Sequence, residues 1–527
     1  MNPHFQKFFL AGLMLAVPML AFAVSTEEYY TTQDYGYNYI EGMIRLSIIF
    51  AVIFFGAALA VIHFKLSNKI TQLVVLTAAV AITAAAYITG VAWYICFWLP
   101  VIYFIWPMYS LWLEPTSAES RQRFIASLKV KNEDAPLSSK ILFWLGMLVA
   151  HAGAFAGMAE LGDLTQMWVQ SPRWLAMWVF EWRWLIFWGS FGALALSIWV
   201  WKRDKVIQKR WVVALSVLMV FNTVTWFVPG RMFQTKQHDA EFANFDVTDE
   251  VLFDRTELTV IEIDGEAVGY PDPFIVQAHA TGTEIAGQKV AMTHCGLTHL
   301  SMAYEPLING QEVDLKVFTQ LANNLVLYDT VTDEPIQQLS GIAEHSGGRM
   351  KSLPSFRINY GNYKKLFPNG KVFWYPIVDF WEDPVEHLWN SWVRWIIYML
   401  VNEQHTNPTE ASFPTVDWDD KRLPAKELIY GLRGDNNQEA YTKDFLVESR
   451  DVKAVMDGRE VRIIYFPEYD SVMAFYSDGY EGEITAHGMT TDGHELERYE
   501  SLISEAFWMI WAYFYPDTSA IQNAGSS

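Results

Sequence analysis

Metal-ligating side chains converge on one octapeptide, Met292-Thr293-His294-Cys295-Gly296-Leu297-Thr298-His299. It holds one of the chain's 2 cysteines between two of its 12 histidines. Lys289–Cys295 and His299–Tyr304 read as two strands, and Gly296-Leu297-Thr298 suits a hairpin connection between them. Cys295 and His299 then flank the connection on one face, with Cβ atoms about 4.5–5.5 Å apart. A thiolate and an imidazole so placed reach one ion at about 2.0–2.3 Å. His279, about two strands upstream, supplies the third ligand. His294 falls on the opposite face with Met292, Leu300 and Met302, so His294 and Met302 are secondary ligands. One thiolate with imidazoles favours copper, then zinc, over magnesium or calcium. Two other chemistries draw on the same residues. Cys295 is a nucleophile if His299 or His279 activates it. Cys295-Gly296-Leu297-Thr298-His299 also has the outline of a covalent haem motif, but Thr298 stands where its second cysteine belongs, which disfavours haem.

An internal duplication gives these residues a control. Phe274-Ile275-Val276 matches Phe445-Leu446-Val447, Gly287-Gln288-Lys289-Val290 matches Gly458-Arg459-Glu460-Val461, and Met302-Ala303-Tyr304 matches Met473-Ala474-Phe475. All share one spacing (445 − 274 = 171). The pattern predicts two tandem β-rich copies with a few helices, residues 250–376 and 422–520. At the same spacing His279 becomes Arg450, His294 becomes Tyr465, Cys295 becomes Phe466 and His299 becomes Asp470. A fold requirement is expected in both copies, so confinement of the soft ligands to the first favours a site there. The joining segment, 377–421, includes an amphipathic stretch at Leu388–Val401 that is too short to span a bilayer.

The elements that carry this region follow a membrane half. Of 527 residues 52% are hydrophobic and the net charge is -21. Residues 1–229 hold 16 Lys+Arg and 12 Asp+Glu, a balance of +4, which leaves -25 for the rest. So acidic a C-terminal part excludes nucleic acid as a partner. Lys7, the apolar run Phe8–Leu20 and Ala21-Phe22-Ala23 read as a signal peptide over residues 1–23, with 24–45 exported behind it. Apolar blocks at 46–64, 70–93, 95–113, 141–158, 180–201 and 211–228 predict an all-α six-helix transmembrane domain. That count places the loops rich in Lys and Arg on one side, as the positive-inside tendency requires. The expected setting is a bacterial inner membrane, crossed several times, with residues 230–527 in the periplasm. His151, near the middle of its span, is an intramembrane candidate.

The residues around Cys295 resemble the domain-of-unknown-function family DUF3179, bacterial and archaeal proteins that are often exported. The family's strand, His, Gly, strand and Thr-x-Cys-Pro-Leu-Cys run corresponds to His279, Gly287 and Thr293–Thr298, and its Asn-x-Leu-Val-x-Tyr-Asp motif to Asn323–Asp329 followed by Gln338 and Gly341. Phe413-Pro414, Arg422–Glu427 and Phe507–Ala512 running to Pro516-Asp517-Thr518 resemble its later signatures. The resemblance covers most of 250–520. Gly296, Thr298 and Ile336 depart from the pattern where the family has Pro, Cys and Trp. The resemblance implies architecture and no particular reaction.

These residues predict a membrane-anchored periplasmic protein that binds a transition metal in its first copy, for metal handling or redox use. The competing expectations are a non-catalytic interaction module docking a membrane or periplasmic partner, and a cysteine-based thiol enzyme.

Overall fold

Apolar helices come first, and small residues let them pack closely. α1 (Leu137–Leu161) and α3 (Arg183–Asp204) are the two helices long and apolar enough to cross a membrane among the residues that the computed structural model describes. Those residues are 135–162, 171–378 and 420–522, with scattered positions between 381 and 416. A Cβ added at Gly146 or Gly153 of α1 would run into Ser197 or Ser190 of α3, so the glycines set the distance between the helices. Trp144, Leu148, Trp184, Leu185 and Trp188 are exposed on their outer faces.

The described residues do not form the expected six-helix domain. The blocks expected at 141–158 and 180–201 are α1 and α3, with α2 (Arg173–Glu181) ahead of α3. The block expected at 211–228 is broken into α4 (Lys209–Val224), a 3-10 turn at Thr225–Phe227 and a short helix at Val228–Met232. At 1.5 Å per residue, the 16 residues of α4 reach about 24 Å, short of a ~30 Å hydrocarbon core. The three earlier blocks and residues 1–45 lie outside the described residues.

Alternating apolar runs then fold as hairpins. Asp264-Gly265, Ala286-Gly287 and Asp457-Gly458 each hold two consecutive residues at positive φ, the two-residue turn that matches strand twist. The first copy contains β1 (Glu241–Ala243), β2 (Glu257–Ile263), β3 (Glu266–Pro271), α5 (Asp272–Ala278), β4 (Ala280–Ile285), β5 (Gln288–Cys295) and β6 (Leu300–Tyr304). It continues through β7 (Leu307–Ile308), β8 (Gln311–Glu312), β9 (Leu315–Leu321), β10 (Asn324–Asp329), β11 (Glu334–Gln337), β12 (Ile342–Ala343) and β13 (Ser352–Leu353). It closes with β14 (Phe356–Asn359), α6 (Tyr360–Leu366) and β15 (Lys371–Trp374). The second copy contains β16 (Leu428–Arg433), β17 (Gln438–Thr442), α7 (Lys443–Ser449), β18 (Asp451–Met456), β19 (Arg459–Phe466), β20 (Ser471–Tyr476), β21 (Leu502–Phe507), α8 (Trp508–Phe514) and β22 (Ser519–Ile521).

Five sheets result, in a propeller-like arrangement beside the β7-β8 ribbon. Their orders are β1-β15-β3-β2-β14, β13-β6-β5-β4, β12-β11-β10-β9, β21-β16-β17-β22 and β18-β19-β20. This corrects the expectation of an α+β soluble domain made of two tandem β-rich repeats to a five-sheet, propeller-like arrangement. Each copy supplies two small sheets, and the fifth sheet is an insertion in the first copy. One apolar core between Met232 and Ala512 draws on both copies, and a second, from Tyr430 to Leu502, lies wholly within the second copy.

The strand plan nevertheless recurs. β2-β3-α5-β4-β5-β6 is repeated as β16-β17-α7-β18-β19-β20, and β14-α6-β15 as β21-α8-β22. β15 and β22 each pair in parallel with the second strand of their copy. β6 packs against β21 while β14 packs against β20, the exchange of partners that a two-fold relation produces. The copies protect their edge strands differently. Lys236 bridges to β4 through its backbone, accepting from Gly282 N and donating to Ala280 O. On β18 the position equivalent to Gly282 is Lys453, ion-paired with Glu481, and a lysine on an edge deters strand addition.

The helices grip the inserted sheet. Arg173 donates to Gln337 and Glu344, Arg183 donates to Asp333, and the Phe180 ring packs 4.3 Å from that of Phe318 on β9. Val317 and Thr319, the neighbours of Phe318, face the other way and line a cavity beside Cys295. The β9-β10 hairpin is therefore one wall shared by the helices and that cavity.

Candidate functional site

Register decides where the soft ligands point. Cys295 pairs with Leu300, His294 with Ser301 and Thr293 with Met302, so four residues rather than three connect β5 to β6. Directly paired residues share a face, which puts Met302 on the side of Thr293 and Cys295 and leaves His294 on the other. His299 is the last residue of the connection and sits at φ 58, a left-handed conformation that takes its ring out of the strand's alternation. Cys295 and His299 therefore serve two different places.

Cys295 and His279 share the first. Both line a cavity of about 40 Å³, enough for an ion or a few water molecules, with Phe233, Val276, Thr319, Gln320, Leu325 and Val401 among its other walls. His279 closes α5 at φ 58, and its ring lies 4.4 Å from that of Phe233. His279 Nδ1 is buried without a well-formed hydrogen bond, the Val276 and Gln277 backbone lying beside the ring. Burial pushes His279 down to about 4, so its ring is neutral at ordinary pH. Burial likewise pushes the Cys295 thiol above its ordinary value, and its Sγ lies 3.8 Å from the Asn323 carbonyl. Asn323 occupies the Ala322-Asn323 turn between β9 and β10, both residues at positive φ, and its side chain is bonded to the Phe413 backbone. His294 stays out of this cavity. Its Nδ1 lies 2.9 Å from Ser301 Oγ, its Nε2 is unpartnered, and burial with the nearby Arg357 charge keeps it neutral.

His299 belongs to the second place, an ionic cluster at the junction of the copies. Its Nδ1 donates to the Glu505 carbonyl at 3.0 Å, and its Nε2 lies 3.2 Å from Glu257 Oε2 and 3.4 Å from Arg357 Nη2. Arg357 is the hub. Its Nη2 donates to Glu257 and Asp272 at 2.6 Å each, Nη1 to Asp272 at 3.2 Å and Nε to Glu505 at 3.2 Å. From the second copy, Tyr430 donates to Glu505 at 2.7 Å, and Lys443 Nζ lies 3.5 Å from both Glu505 and Asp470. Burial acts against the Glu257 carboxylate, yet hydrogen bonds from His299 and Arg357 outweigh it and hold the group far below the usual carboxylate range. Burial raises Asp272. Burial and Arg357 act against a charge on His299, but the bond to Glu257 prevails and raises it above its ordinary 6.5.

Glu257, His299 and Glu505 place ligand atoms within 4.8 Å of one another, the one such group of three among the described residues. The His279, Cys295 and His299 set is not assembled in that way. A dication between Glu257 and Glu505 would sit against the guanidinium that already bonds both, so this group is occupied by its own cation. The charged residues of the cluster gave no motif in the sequence. His151 serves its own helix, with Nδ1 2.9 Å from the Met147 carbonyl.

Comparison with known proteins agrees with the sheet region as a unit. Curated proteins and solved structures contain no match. Residues 237–518, more than half of the chain, match the family described as "Protein of unknown function (DUF3179)", and the chain belongs to that family.

Proposed function

We propose that this chain is an envelope protein that binds a transition metal, copper in preference to zinc, between Cys295 and His279. The carrying observation is one cavity lined by a buried thiol and a neutral imidazole whose Nδ1 lacks a well-formed hydrogen bond. A buried, poorly satisfied nitrogen is costly, and coordination removes that cost. Thiolate and imidazole together suit a soft ion. His299 leaves the ligand set because its ring is committed to Glu257 and Glu505. The thiol's raised value is the reverse of what a nucleophilic cysteine needs, so metal handling is favoured over a thiol enzyme. It also sets the pH dependence: the ion must displace the thiol proton, and uptake strengthens as pH rises.

The proposed setting is the periplasmic side of a bacterial inner membrane. Support comes from where charge sits along α3. Arg183, at its start, bonds the sheets, while Lys202, Arg203 and Lys205 lie at the other end, about 33 Å away. The basic end then faces the cytoplasm and the sheets face outward.

Metal analysis of the purified full-length protein tests the reading. Near-stoichiometric copper in the wild type, lost in Cys295→Ser and His279→Ala, is expected. Equal, sub-stoichiometric metal in all three would overturn it and leave the interaction module.

A further inference from the structure

We infer that the junction between the two copies is a proton-operated latch, with His299 as its proton carrier. Four carboxylates, on Glu257, Asp272, Asp470 and Glu505, meet there with only two fixed cations, Arg357 and Lys443. With a neutral imidazole the junction holds more carboxylates than fixed cations, Asp272 and Glu505 buried and Glu257 and Asp470 half-exposed. The His299 geometry shows how one proton corrects this. Nδ1 donates to the Glu505 carbonyl, so a neutral ring presents the Nε2 lone pair to the Glu257 carboxylate at 3.2 Å, a repulsive contact. Arg357 Nη2, 3.4 Å away and already bonded to Glu257 and Asp272, offsets it only in part. A proton on Nε2 converts that contact into a charged hydrogen bond. The ring then ties Glu257 of the first copy to the Glu505 backbone of the second.

The other histidines, Lys426 and Tyr430 do not compete with His299 for the proton. His405, whose ring lies 5.0 Å away, is pushed down to about 3 by burial and the His299 charge, and its Nε2 donates to the Gly296 carbonyl at 2.7 Å. His294 on β5 is kept neutral, Lys426 lies over Phe507, and Tyr430 donates to Glu505. Asp272 on α5 is raised and so favours proton uptake in the same direction as His299.

The sign follows from these shifts. The His299 contribution is full below its ordinary 6.5 and is lost as pH rises through the higher folded value. The Glu257 contribution is full above its ordinary 4.5 and is lost only in stronger acid. The latch is tightest between those two values and relaxes on the alkaline side. Relaxation reaches the turn after Cys295, because three of its four carbonyls are held from outside: Gly296 by His405, Leu297 by Gln404 and Thr298 by Phe507 N. The latch does not rest on the metal reading, since His299 lies outside the cavity of His279 and Cys295.

Hydrogen exchange of the full-length protein in detergent micelles tests it between pH 5.5 and 8.5, with intrinsic rates corrected for pH. Protection of residues 296–301 and 502–507 is expected to fall roughly five-fold or more across that range in the wild type. In His299→Gln it should be low and flat; an unchanged fall there overturns the latch. Glu257→Gln, at a half-exposed carboxylate, keeps the test decisive if His299→Gln does not fold. It should move the wild-type midpoint to lower pH, and an unmoved midpoint overturns the latch as well.

Discussion

Arg357 and Glu505 occupy equivalent positions in the two copies, 148 residues apart, and bond each other across the junction at 3.2 Å. Each lies three residues before the first residue of the equivalent helices α6 and α8 in its copy, on β14 and β21. Asp272 and Lys443 stand in the same relation at the first residues of α5 and α7. The duplication has thus placed opposite charges at matched positions, and Asp272–Arg357, Arg357–Glu505 and Glu505–Lys443 form one chain of ion pairs through the two-fold relation.

Arg357→Met leaves Asp272 and Glu505 buried without their shared cation. A loss of about 3–5 kcal/mol is expected by chemical denaturation in micelles. Adding Glu505→Gln should cost less than the sum of the single changes, because the second change removes one of the stranded charges.

Gly282→Ala drives a Cβ into the Gln237 carbonyl of the segment that covers β4. About 1–3 kcal/mol of destabilisation is expected. Lys453→Ala, at the equivalent exposed position on β18, should stay within about 1 kcal/mol in the same assay.

Phe318→Ala removes the ring that α2 packs against through Phe180. A cost of about 3–5 kcal/mol is expected. Arg173→Ala, which breaks the partly exposed pair with Glu344, should cost no more than about 1 kcal/mol. A comparable loss in both variants would show that charge rather than packing seats the helices.

Acid should weaken the protein through Glu257. Its stabilising contribution is present above 4.5 and is lost as pH falls toward its lower folded value. The unfolding midpoint of the wild type should fall below that pH, and Glu257→Gln should flatten the fall.

The sequence made the hairpins and the recurring frame legible because turn pairs such as Asp457-Gly458 and the scaffold residues keep one spacing up to Met473. It missed the cluster for a countable reason. The inserted sheet makes the first copy 23 residues longer beyond that point (171 − 148), so an ungapped comparison never aligns Arg357 with Glu505. His279 and Cys295 were legible as soft residues confined to one copy. The direction of His299 was not, because a left-handed φ at the end of a four-residue connection overrides strand alternation. The six-helix reading overreached because apolar length was counted without the break after Val224.

The ligand set of the bound ion tests the central claim most directly. X-ray absorption of the copper-loaded full-length protein should show one sulfur and at least one nitrogen at about 2.0–2.3 Å. The sulfur should vanish in Cys295→Ser and persist in His299→Gln. Copper bound without sulfur in the wild type, or a sulfur lost in His299→Gln, would contradict a site built from Cys295 and His279.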